Sequence, residues 1–379
     1  MDYLVRYLIR RFKMRVIFKT SYDNDINLFK DKIHFLQYVF LLVFALALPF
    51  IVNDYYLGEV ALVLIWAIAG MGLMVLVGHS GQVSLGHAAF MAIGAYSVVI
   101  LQSRFGLPFI VSLPLAGLLS SFLGILIAVP TAKLHGIYLA ILTLAVSILV
   151  EDIIVLADPL TGGVNGIFAP DIEIFSINFN RYGNIDGLYW LILFITVVFI
   201  IGYKNILRSP LGRAFSAVRD SEVSALAMGI NIARTRTLAF AISCFITGIA
   251  GALFGHFVTV FNYETFNVVL SINLLLMIVI GGLGSIHGAF FGAMVIGFLP
   301  IIISFCRDHF LDDIGINLMN FPGIETGIFS LILILFILFE PFGIYGRWLK
   351  IRTYFQLFPL YRKDMFKRQK SYLKTERVR

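Results

Sequence analysis

The chain has 379 residues, of which 59% are hydrophobic and only 13% charged, and its mean hydropathy is +0.92. That composition excludes a soluble globular domain. The net charge of +7 does not point to nucleic acid either, because the charges fall in blocks between apolar runs instead of gathering on one folded face.

The first block, residues 1–33, carries 8 Lys/Arg against 4 Asp/Glu. Within it YLVRYLIRRFKMRVIFK at 3–19 reads as a basic interfacial helix, since arginines interrupt every apolar stretch and no signal-type core precedes a cleavage site. Ten apolar runs long enough for ~30 Å of hydrocarbon then follow, at 35–51, 57–77, 82–101, 108–129, 137–157, 188–203, 237–260, 268–282, 286–304 and 325–341. The eighth is short and polar at its start, so it is expected to be broken or to enter and leave on one side. Residues 204–236 hold 6 basic against 2 acidic side chains, and residues 345–379 hold 11 against 2. These two segments and 1–33 contain 25 of the 29 Lys/Arg, leaving the remainder with 4 basic and 14 acidic residues. Basic residues collect on cytoplasmic loops. Ten crossings put all three basic segments and Lys133 on that side, with the acidic loops 158–187 and 305–325 outside. The expected organisation is a basic cytoplasmic segment 1–33, a transmembrane domain 34–344, and a basic cytoplasmic tail 345–379 that can touch anionic headgroups.

Several stretches carry chemistry. GHSGQVSLGHAAFMAIGAY at 78–96 sets Gln82, Ser84 and His87 beside or inside a span. Such polar groups either line a pathway or bond neighbouring helices, and the glycines permit a discontinuous helix. Gly251 and Gly255, and Gly284, Gly288 and Gly292, recur at four-residue spacing, which predicts helix faces for close backbone packing. In the loop 204–236, Ser209-Pro210 is a helix start. Asp220 is expected to cap a second short helix ended by Gly229, with Val223, Leu226, Ala227 and Ile230 as one apolar stripe and Glu222, Ser224 and Ala225 opposite. A helix of two turns is marginal alone, so a soluble partner is expected to dock there. Cys244 within a span and Cys306 near an outer end support neither a disulfide nor a thiolate metal site. The chain contains no Gly-Lys dipeptide, hence no Walker A loop; no cofactor is expected in this chain, and any ATP is hydrolysed by another polypeptide. A competing enzyme reading takes GHSG at 78–81 as the GxSG of intramembrane serine proteases, with Ser80 as nucleophile and His256 or His287 as base. Ten spans with a helical loop exceed what that core requires, and single histidines more commonly cap or pack.

Three blocks, 78–96, GRAFSAVRDSEVSALAMGINIARTRTLAFAISCFITGIAGAL at 212–253 and GGLGSIHGAFFGAMVIG at 281–297, carry a resemblance. With TGGVNGI at 161–167, the chain resembles the LivM-type integral-membrane permease of branched-chain amino acid ABC importers. The likeness runs over about residues 35–345, and urea and short-chain amide permeases share most of these motifs. It implies an all-α polytopic fold of about ten transmembrane helices, type II ABC importer-like, in the bacterial inner membrane. It also implies a second homologous permease, two ATP-binding cassette ATPases that bind the ATP, and an extracytoplasmic substrate-binding protein. By position Gly212, Arg213, Ala217, Arg219, Glu222, Ala225 and Gly229 match the family's loop pattern. Arg213, Arg219 and Glu222 are then expected as polar docking contacts, and Val223, Leu226 and Ile230 as the face buried in the ATPase groove.

Overall fold

In a computed structural model the chain is described over residues 32–132, 134, 136–174, 177–306, 324–340 and 342–357. The basic helix expected at 3–19, most of loop 305–325, Lys133 and the tail beyond 357 lie outside the described residues.

Apolar composition makes nearly every described element a helix, because in hydrocarbon each backbone group must find its partner within the segment. The order is α1 (Lys32–Ala47), α2 (Asp54–Leu73), α3 (His87–Ser103), α4 (Phe109–Thr131), α5 (Ile137–Leu156), α6 (Ile185–Arg208), α7 (Pro210–Asp220), α8 (Glu222–Ala227), α9 (Ile232–Val258), α10 (Val268–Gly281), α11 (Ile286–Cys306), α12 (Ile324–Phe339) and α13 (Gly343–Leu357). Among the described residues seven helices are long and apolar enough to cross a membrane, or eight if the pair α12 and α13, bent by 46°, counts as one. Two shorter apolar helices, α1 and α3, add to these.

The expected spans are corrected at three places. The third begins at His87 and not at 82, because 80–86 is unwound. The eighth is a 14-residue helix prefaced by a 3-10 turn at Tyr263–Phe266. Together they make a 19-residue apolar stretch, long enough to cross, with the break lying before it. The tenth turns at Glu340, which bonds Arg347 and Lys350 of α13 at 2.8 and 3.5 Å.

Burial orders the bundle. The apolar windows of α2 and α9 are 78% and 83% buried, against 28% for α4, α5 and α11, so the first pair forms the centre and the others the rim. Leu118, Phe122, Leu126 and Val129 of α4 accordingly face outward. The central α9 packs against α2, α3 and α4, and its small residues set how closely. A Cβ at Gly94 would strike the Gly248 carbonyl, and one at Gly251 would strike the Met91 carbonyl, so α3 and α9 touch backbone to backbone. Ser120 of α4 seals the same crossing by donating to the carbonyls of Cys244 and Phe90, at 3.0 and 3.1 Å.

The ends differ in charge. At the acidic end the segment 157–184 folds over the bundle. Its strand β1 (Ile167–Phe168) pairs antiparallel with β4 (Val260–Phe261), while β2 (Ile172–Ile174) pairs with β3 (Ile177–Phe179). The opposite, basic end carries α7 and α8.

Candidate coupling site

The basic end is built around a corner. Ser209 caps α7, accepting from the Gly212 amide, and Pro210 occupies its first turn, as the Ser-Pro pair predicts. Gly212 is required there, since a Cβ would come within 2.5 Å of the Ile206 and Leu207 backbone. Phe215 and Val218 bury the inner face of α7, whereas Arg213 is exposed and donates to the Arg208 carbonyl at 3.1 Å. Ala217 accepts from the Ser221 amide at 3.0 Å where α7 ends. The cap of α8 is Ser221, which accepts from the Ser224 amide, and not Asp220; Asp220 closes α7 and pairs with Arg219 at 2.9 Å. Gly229 terminates the turn at φ +81°, and the Ile230 amide reaches back to the Ala225 carbonyl at 3.0 Å, a C-terminal closure of the Schellman kind.

The faces of α8 differ from the expected stripe. Val223, Leu226 and Met228 are 81%, 64% and 80% exposed, forming an apolar knob at the basic end. Ile230 lies beyond the helix and is half-buried. Ala225 is buried and Glu222 turns inward to ion-pair with Arg236 of α9. Glu222, expected as a docking contact, is thus engaged within the chain, because Arg236 has only 8% of its side chain exposed and such a cation needs a carboxylate at hand. Arg236 also donates to the Ala132 carbonyl at the end of α4, at 3.0 Å.

Arg219 is likewise turned inward. Its Nη1 donates to the Gly78 carbonyl at 2.8 Å, and its aliphatic stem lies over Gly81, where a Cβ would meet Cγ at 2.9 Å. Gly78 ends a π-turn, Met74–His79, that continues α2. The Gly284 amide reaches the Met74 Sδ at 3.1 Å. The three motif blocks therefore meet at one point, around Arg219, Gly78 and Gly284. Gly284 is not on a helix face: it sits in the loop before α11 at φ +83°, and the four-residue spacing with Gly288 is incidental. Gly288 and Gly292 do pack, against the Gly282 and Met277 carbonyls, and Gly255 packs against Phe261 and Ala95.

Gln82, Ser84 and His87 come together in a buried polar network along the unwound stretch. Gln82 Nε2 donates to Ser80 Oγ at 2.7 Å and to the Arg236 carbonyl at 3.3 Å. Ser243 Oγ donates to the Gly72 carbonyl at 2.7 Å, so it accepts from His87 Nε2 at 2.8 Å, and His87 Nδ1 accepts from Ser84 Oγ at 2.8 Å. Ser271 and Thr143 accept from the amides of Ala88 and Leu85. These groups bond to α2, α9, α10 and α5 and so act as interhelical ties, the packing alternative among the two readings. No serine–histidine dyad forms at Ser80: His79 bonds Tyr203 Oη at 2.8 Å, His256 bonds Gln102 and the Ala252 carbonyl, and His287 bonds Tyr38. The Glu222–Arg236 pair and the Gly78 carbonyl escape sequence reasoning, since partners 14 and 141 residues apart leave no periodic signal.

Seven or eight apolar helices, a buried polar break and a helical loop at the basic end define a multi-pass membrane protein. The family described as branched-chain amino acid transport system / permease component matches residues 55–338, and the chain belongs to it. The high-affinity branched-chain amino acid transport system permease protein LivM of Salmonella typhimurium is 35% identical over 277 residues, covering 68% of this chain and 65% of that protein. LivM of Escherichia coli is 34% identical over 279 residues, with 68% and 66% covered. The chain thus spans just under two thirds of the length of these relatives. LivH of Escherichia coli is 29% identical over 164 residues, 43% of this chain and 47% of that one.

Proposed function

We propose that the chain is the membrane-spanning permease subunit of an ABC importer that moves branched-chain amino acids (Leu, Ile, Val) across the bacterial inner membrane. Energy comes from ATP hydrolysed on separate subunits, and this chain is a conduit, not an enzyme. The observation that carries the reading is the exposed knob of Val223, Leu226 and Met228 on a helical turn whose other side is tied into the bundle by Glu222 and Arg219. An exposed apolar patch beside charged residues suits a protein partner, and the family's ATPase is that partner.

In this arrangement the ends of the bundle take sides. The basic end is cytoplasmic, ten crossings place both termini there, and the fold is of the type II importer kind. Likeness to both LivM and LivH relatives supports a pair of homologous permeases, served by two ATPases and by an extracytoplasmic binding protein docking on the acidic end. Transport proceeds by alternating access. The test is uptake of radiolabelled leucine against urea by vesicles holding this chain with its companion subunits and ATP. Leucine uptake that urea does not compete supports the reading. Urea uptake alone would assign the chain to the urea and amide permeases of the same superfamily, and uptake of neither would overturn it.

A further inference from the structure

A cavity of about 290 Å³ opens between α2, α10 and α11, well away from the coupling loop. Its lining is aliphatic and aromatic except for two groups, Glu59 and Asn273. Glu59 lies five residues into α2 and Asn273 five residues into α10, each about 7.5 Å of helix rise from the acidic end. Among the described residues neither has a hydrogen-bond or ion-pair partner. A carboxylate on an apolar span with no internal partner marks a ligand path by default, because its burial is costly until a counter-charge arrives. A third polar group comes from the backbone. Pro300 sits inside α11 and cannot donate, so the helix supplies no amide to the Ile296 carbonyl, and both residues line the cavity. Leu62, Leu274 and Met277 form the apolar wall, and Trp66, held against Phe254 at 5.2 Å between centroids, stands beside them.

We infer that this cavity is a binding site for a zwitterionic α-amino acid with an aliphatic side chain. The Glu59 carboxylate and the Ile296 carbonyl accept from the ammonium group, the Asn273 amide donates to the carboxylate, and the leucine and methionine side chains take the aliphatic group. Its volume lies at the lower end of small-molecule sites, which run from ~300 to ~1,000 Å³, and suits a ligand of leucine size. An anionic solute is disfavoured by Glu59, and urea offers nothing for the apolar wall. The inference rests on the import reading above and locates its substrate.

The test uses the complete importer in proteoliposomes. Glu59→Gln and Asn273→Leu each lower the initial rate of leucine uptake tenfold or more, the loss of one hydrogen bond to a charged group amounting to about that factor, while co-purification with the ATPases persists. Leu274→Phe, which fills the wall, raises the ratio of alanine to leucine uptake, a selectivity change that mere destabilisation does not produce. In a Cys306→Ser background, Asn273→Cys is labelled by a small thiol reagent from outside and leucine slows the labelling. Uptake within twofold of wild type in both polar variants, an unchanged ratio in Leu274→Phe, or labelling indifferent to leucine overturns the site. If the wild-type importer takes up no leucine, the functional reading falls instead.

Discussion

Removing the Glu222 carboxylate strands Arg236. The guanidinium keeps its bond to the Ala132 carbonyl but loses its ion-pair partner while 92% of its side chain remains out of solvent, 8% being exposed. Breaking a fully buried pair costs ~3–5 kcal/mol. Glu222 retains 34% exposure, so water screens part of the interaction and ~1–3 kcal/mol is the expected loss for Glu222→Gln, near the penalty for one unmet charged hydrogen bond. Arg236→Met alone leaves Glu222 at the surface, where it is solvated, and costs less than Glu222→Gln. The double variant should then be more stable than the sum of the singles by ~1 kcal/mol or more. Equilibrium unfolding of the purified permease in mixed micelles measures the cycle. Additivity within ~0.5 kcal/mol would refute the idea that this pair fastens α8 to α9.

Other expectations follow from the same geometry. Val223→Asp with Leu226→Asp should change permease stability by less than ~0.5 kcal/mol, as for exposed positions, yet abolish co-purification with the ATPases; retained pull-down would remove the knob from the docking surface. Gly251→Leu should destabilise by ~3 kcal/mol or more, beyond ordinary overpacking, because its side chain meets the Met91 backbone. Size-exclusion profiles and protease resistance report it, and a monodisperse, resistant variant would contradict the α3–α9 contact. Ser80→Ala should leave uptake largely intact, since Ser80 Oγ bonds Gln82 and no histidine.

Much of this architecture was legible in advance because bilayer physics writes it in runs. Apolar length marked the helices, and local chemistry marked the corner at Ser209-Pro210 and the stop at Gly229, each of which depends on residues only a few positions apart. The third span was placed too early because residues 80–86 are apolar enough to pass for helix, whereas their backbone is held by side chains of Thr143, Ser243 and Ser271 from other helices. Gly284 was misassigned for a related reason: four-residue spacing is necessary for a shared helix face but does not start a helix, and Ser285, donated to by the Gly288 amide at 2.9 Å, does. Glu222 defeated pattern reading altogether, since its partner belongs to the next helix and nothing in α8 distinguishes an inward from an outward carboxylate. Glu59 and Asn273 were hidden in plain apolar runs and gained meaning only when α2 and α10 were laid side by side.

The π-turn Met74–His79 has a bearing on how sequences of this kind can change. A turn closed by i→i+5 bonds holds one residue more than its α-helical counterpart. Deleting any one residue there would let the segment relax into regular helix, while rotating everything that precedes Gly78 by ~100° against everything after it. Glu59, Trp66 and Gly70 would swing away from their present neighbours, though no side chain had been altered. Substitution is therefore the tolerated currency in this stretch, and chain length the forbidden one.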